Sequence, residues 1–217
     1  MTVPATTRLR GERARRLTCG DGLHRRGFSL LELLLTTALI LILFVMLYGH
    51  SSGSHQRRQK QACQQNLQTI YVALQIHAGD HDGWFPAKTN ALTSEEPLSL
   101  LVPRYISVTR HFICPGSQDS RLPEGESFEK RKISYAYYMG RSARDTAEVL
   151  LSDAQVNTQP KIQGQPVFSP DGRKPGNNHH QYGGNLMFCD GRMEMSRAQA
   201  PFSLLLTQGV VLLNPRP

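Results

Sequence analysis

The 217-residue sequence predicts an α+β fold: an apolar helix, then an amphipathic helix, then a small antiparallel β-sheet head. Three patterns carry that expectation. Residues 28–48 are apolar except for Glu32 and a few hydroxyls. Between His55 and Ala78, the residues Cys63, Leu67, Ile70, Tyr71, Leu74 and Ala78 recur at helical spacing, which draws one apolar stripe. Further on, short apolar runs are parted by turn residues, and Asp190-Gly191 sits between the last two.

The N-terminal segment comes first. Hydrophobic residues are 39% of the chain and charged residues 19%, which excludes a polytopic membrane protein and a wholly disordered one. The net charge of +8 is lopsided: residues 1–27 hold seven arginines against Glu12 and Asp21, a net +5, leaving +3 for the other 190 residues. A nucleic-acid partner is therefore not expected. Phe28–Tyr48 reads FSLLELLLTTALILILFVMLY. As a helix it measures about 31 Å, the thickness of a bilayer core. It is longer than the ~7–15 apolar residues of a secretory signal, and no small-x-small cleavage site follows it. Arginines before the span place residues 1–27 in the cytoplasm and the remainder outside. Glu32 costs about 2.5–3.5 kcal/mol inside a spanning helix, so it calls for an interfacial place or a positive partner.

Arg25-Arg26-Gly27-Phe28-Ser29-Leu30-Leu31-Glu32 resembles the type IV prepilin (class III) signal. The resemblance implies that a prepilin peptidase cuts between Gly27 and Phe28 and N-methylates Phe28, which becomes the first mature residue with Glu32 as the fifth. It further implies that the ammonium of Phe28 and a neighbouring subunit's Glu32 pair in low dielectric, where each alone is costly. Glu32 then acts as a register device in assembly.

Gly49–Ser54 is small and polar and reads as a break just outside the membrane. The amphipathic helix follows, and the resemblance makes it the second half, over 49–79, of one long pilin-like helix lying on a sheet. Gly79 is its expected C-cap, with Pro86 as a stop. Asp80 and Asp82 read as turn carboxylates, since a calcium loop needs more oxygen ligands. Residues 93–106 read as a short helix capped by Thr93 or Ser94, with an extended exit.

The globular head, 80–217, carries strand candidates at His111–Ile113, Ile133–Tyr138, Val149–Leu151, Gly184–Phe188 and Arg192–Met195. Asp190-Gly191 predicts a two-residue hairpin loop. Residues 155–183, rich in Gln, Pro, Gly and Asn, read as a long irregular loop. Ser152-Asp153 reads as a turn. Residues 201–215 read as a final strand or packed segment, too short for a second span.

A second resemblance runs through Ala62-Cys63-Gln64-Gln65-Asn66-Leu67, Asp82-Gly83-Trp84-Phe85-Pro86, Ile113-Cys114-Pro115, Ser134-Tyr135 and His180-(nine residues)-Asp190-Gly191. These segments are similar to prepilin-like proteins with a C-terminal His-x9-Asp-Gly motif, which share their cleaved N-terminus with the major pseudopilin of type II secretion. The reading for His180 is structural, tying the irregular loop to the hairpin by backbone bonds.

No metal set is read from the sequence. His179, His180, Cys189 and Asp190 are capable ligands, but adjacent histidines do not easily share one ion. Outside the cytoplasm disulfides are permitted. With Cys19 in the leader, the alternatives are Cys63–Cys114, Cys114–Cys189, or three free buried thiols. No cofactor and no catalytic residue are expected: His-Glu-x-x-His and a Walker loop are missing from the sequence. The expected role is a structural subunit of a type II secretion pseudopilus or type IV pilus-like filament. Its expected partners are prepilin peptidase, other pilin or pseudopilin subunits, and an inner-membrane assembly platform. The expected place is the inner membrane, single-pass, with the head outside and later in a periplasmic or surface filament. The alternatives are an anchored enzyme or metal-binding module that does not polymerise, and a DNA-uptake pilin.

Overall fold

A computed structural model describes residues 28–48 and 51–217. The chain divides after residue 49 into two compact units. The first is α1, Leu30–Tyr48. Its residues Leu30–Leu47 are long and apolar enough to cross a membrane, and its side chains are exposed along that whole length. Thr36 and Thr37 satisfy their hydroxyls within the helix, donating to Leu33 O and Leu34 O at 3.0 Å, so they add no unpaired donor to the apolar surface.

The second unit is an α+β head. It opens with α2, Ser51–Asp80, followed by α3, Glu95–Leu98. Two 3₁₀ turns at Ser99–Leu101 and Thr109–Phe112 come next. Five strands follow: β1 Tyr135–Met139, β2 Val149–Asp153, β3 Gly184–Phe188, β4 Met193–Ser196 and β5 Val211–Leu213. They form one antiparallel sheet in the order β4-β3-β2-β1-β5.

The sheet is covered on both faces. On one, Cys63, Leu67, Ile70 and Leu74 of α2 pack with Tyr135, Tyr137, Leu151 and Met187 of the strands. On the other, Ala136, Tyr138, Leu186 and Phe188 meet Val167, Phe168, Ala200 and Leu204 from the irregular segments. Each large apolar side chain so buried contributes roughly 1.5–3 kcal/mol. Residues 155–183 supply the Val167 and Phe168 part of that second cover, with isolated bridges from Lys161 to Leu204 and from Pro166 to Gln199.

The segment after β5 is strapped down. Asn214 O accepts from Ser94 N at 3.0 Å. Asn214 also exchanges two bonds with the backbone of Gln155. Buried Glu95 accepts from Ile133 N at 3.1 Å and from Arg216 N at 2.9 Å.

Several local expectations are corrected. His111–Ile113 is not a strand, because Thr109–Phe112 is a 3₁₀ turn. Side chains take its backbone: Glu124 accepts from Thr109 N and Asn66 donates to Ile113 O. Gly79 is not the cap. α2 runs to Asp80, and the reversal falls at Asp82 and Gly83, where Gly83 N donates back to Ala78 O at 2.8 Å. Ser94 stands at the cap of α3, but its hydroxyl donates to Tyr135 O at 2.7 Å instead of closing the helix. Ser51–Ser54 belong to α2, so the expected break keeps only Gly49 and His50, outside the described residues. Between β3 and β4 lie residues 189–192, where the bond from Phe188 N to Arg192 O encloses a three-residue loop, 189–191, with Gly191 at φ +87°. A left-handed third residue is how such a loop matches the strand twist. Ser152 and Asp153 are buried strand residues and form no turn.

Candidate functional site

Two places bear on function. The first is the start of α1. Ser29 O accepts from Glu32 N at 2.9 Å and Leu33 N at 3.1 Å, which opens the helix at Leu30. Glu32 lies in the first turn, so its carboxylate also faces the positive end of the helix dipole. Phe28 precedes the helix and is exposed. Gly27 and the rest of residues 1–27, Cys19 included, lie outside the described residues.

The second place is a buried polar cluster under α2. Cys63 of α2 is joined to Cys114 by a disulfide, S–S 2.07 Å. Beside it stand Asp153, at the end of β2, and His179, from the irregular segment, both fully buried. His179 Nε2 is 3.2 Å from Asp153 Oδ2 and 3.6 Å from Cys114 Sγ. Asp153 Oδ2 also accepts from Asn185 N at 2.8 Å and Asn185 Nδ2 at 3.0 Å, and Oδ1 from Asn178 at 3.1 Å. Burial alone would raise the Asp153 carboxyl. The contact with His179, the Asn178 amide and the Asn185 N–H together bring it below its ordinary value.

The surrounding elements are tied to this carboxylate. Asn178 donates to Ser134 O at 2.6 Å, and Asn185 donates to Lys60 O of α2 at 3.1 Å. Lys60 Nζ reaches Tyr182 O at 3.1 Å and Ser196 O at 2.6 Å. Asn66, one turn beyond Cys63, donates to Ile113 O at 3.0 Å. Close approach fixes Gly116: a Cβ there would lie 2.4 Å from Asn178 O and 2.8 Å from His179 Nδ1.

The His-x9-Asp-Gly residues are not brought together. β3 runs between His180 and Asp190, and five strand residues at ~3.3 Å each hold them at opposite ends. His180 is exposed with φ +51°, and its N–H donates to Asn177 O. The histidine that binds the loop to the sheet by its side chain is His179, a correction to the reading of His180. Asp190 Oδ1 accepts from Arg192 N at 2.9 Å and shapes the turn. Gly191 has two reasons to be glycine: its positive φ, and Tyr71 of α2, whose ring a Cβ would meet at 2.9 Å. Tyr71 OH and Gln75 donate to Cys189 O at 2.9 and 3.2 Å, so the hairpin tip docks on α2. Cys189 is a buried free thiol, pushed up to about 12 by burial first.

Sequence reasoning missed Asp153, and the adjacent-histidine argument passed over His179. Cys114-Pro115 and Asn66 were visible in the motifs, but nothing local joined them to a carboxylate in β2.

The profile of the prokaryotic N-terminal methylation motif matches residues 23–48. No curated protein and no solved structure matches the chain. The chain thus carries the N-terminal methylation motif on a helix long and apolar enough to cross a membrane.

Proposed function

We propose that the chain is a structural filament subunit, inserted with its head outside the cytoplasm. Prepilin peptidase cuts it between Gly27 and Phe28 and methylates Phe28. An inner-membrane platform then packs it with other pilin or pseudopilin subunits. The observation that carries this reading is the coincidence of the methylation motif with an exposed apolar helix whose sole charge, Glu32, lies one turn beyond Phe28. Such a helix loses its cost in water by packing in lipid and then against copies of itself, and a paired Glu32 sets the axial register.

A net charge of only +3 outside residues 1–27 gives little support to a DNA-uptake pilus. The head has a supporting role without catalysis. Asp153 and Cys114 both approach Nε2 of His179, whereas a nucleophile–base–orienter relay uses both ring nitrogens.

N-terminal mass spectrometry of the protein extracted from its own membrane tests the reading. N-methylated Phe28 is the expected terminus, and an intact leader or a cut beyond Tyr48 overturns processing. Glu32→Leu, inserted normally, is expected to abolish assembly into sedimentable filaments; assembly at the wild-type level would remove Glu32 from the mechanism.

A further inference from the structure

We infer that the buried cluster is a zinc site in the chain whose cysteines are still thiols, so that metal and disulfide are alternative closures of one pocket. The ligand atoms of Cys63, Cys114, Asp153 and His179 all lie within 4.8 Å of one another, and all four residues are buried. Two thiolates, one imidazole and one carboxylate make a four-ligand set of the kind that closed structural zinc sites use. Around a tetrahedral zinc, neighbouring ligand atoms stand roughly 3.3–3.8 Å apart, as bonds of about 2.0–2.3 Å require. His179 Nε2 to Asp153 Oδ2 is 3.2 Å and His179 Nε2 to Cys114 Sγ is 3.6 Å. Two of the six edges therefore stand near that span, the other pairs lie within 4.8 Å, and the two sulfurs must part for the metal to enter.

The outer contacts suit a metal. Asn178 and Asn185 donate to the Asp153 oxygens and fix the carboxylate, as second partners of metal ligands do. Asn185, which holds Asp153, also donates to Lys60 O and so ties the cluster to α2. The linear spacing hides this set, because its members come from α2, the segment after the second 3₁₀ turn, β2 and the irregular loop.

Zinc binding balances without an oxidant or reductant. Cysteines are made as thiols, and each chain that binds Zn²⁺ releases two thiol protons as two Zn–S bonds form. Oxidation of the same thiols to the disulfide excludes the metal, with a disulfide oxidant such as glutathione disulfide taking the two electrons and two protons to leave as two thiols.

The test uses the full chain, synthesised into detergent micelles with a phosphine reductant and Zn²⁺ present, beside a sample oxidised with glutathione disulfide. Native mass spectrometry of the reduced sample is expected to show one zinc in place of two protons, with two thiols shielded from alkylation. The oxidised sample is expected to carry none. Cobalt in place of zinc is expected to give thiolate-to-metal absorption bands of tetrahedral type. Asn178→Ala, which leaves all four ligands intact, is expected to weaken zinc about tenfold. His179→Ala is expected to lose stoichiometric zinc. A reduced chain that folds without zinc, or that stays unfolded with zinc present, overturns the proposal. So does zinc retained at full strength in His179→Ala.

Discussion

In residues 28–47 apolar side chains face outward along a whole helix, while in the head a carboxylate, an imidazole and two amides are sealed inside. Each arrangement is costly by itself, and each is repaid differently. The helix can be repaid only by groups outside the unit. The cluster is repaid within the head: Asp153 takes contacts from Asn178, Asn185 and His179, and those residues hold Ser134 and Lys60 in turn. Exposure of apolar groups therefore marks where this chain expects company, and burial of polar groups marks where its own fold is pinned.

The comparison can be broken at the cluster first. Asp153→Ala strands the donors of Asn178, Asn185 and His179, and is expected to cost about 4–5 kcal/mol in denaturant unfolding. Asp153→Asn keeps the volume and is expected to cost less. Replacing Cys63 and Cys114 together by alanine releases a loop of sequence separation 51 and is expected to cost about 4 kcal/mol in the same assay.

Leucine truncations sharpen the contrast. Leu67→Ala, in the core under α2, is expected to destabilise the head by about 3 kcal/mol. Leu35→Ala, exposed on α1, is expected to leave head unfolding within about 0.5 kcal/mol of wild type. Equal effects would erase the distinction between the two units.

The smallest effect is chemical. With its pKa near 12, the Cys189 thiol keeps its proton in the folded state, and its thiolate is roughly a thousandfold scarcer than at an ordinary cysteine. Alkylation at mildly alkaline pH is expected to modify it only after unfolding. Its contribution to stability falls as pH rises above the ordinary thiol value, since the unfolded thiol ionises first.

The helices and the hairpin were legible because their signals are local: an apolar run, a stripe at helical spacing, and Asp190-Gly191. β2 was legible only in its first three residues. It is buried on both faces, so Val149–Asp153 shows no alternation, and the polar Ser152-Asp153 end imitates a turn. The cluster was illegible for another reason. Cys63, Cys114, Asp153 and His179 meet only through sheet pairing and the folding-back of an irregular segment, and no window of sequence contains two of them. The β3–β4 loop shows the same limit at short range: the Asp-Gly dipeptide announces a turn, while the Tyr71 contact that decides its shape comes from α2.

The pairing of β5 with β1 has a consequence for the order in which the head is completed. β1 lies between β2 and β5, and β5 is made more than seventy residues after it. Until residues 211–213 emerge, that side of β1 is an open strand edge, and Ser94 and Glu95 lack the partners that Asn214 and Arg216 supply. A nascent head is thus adhesive along one side from the completion of β1 until β5 is made. Ribosome stalling or proteolytic clipping before residue 211 would leave that edge open to pairing with another chain.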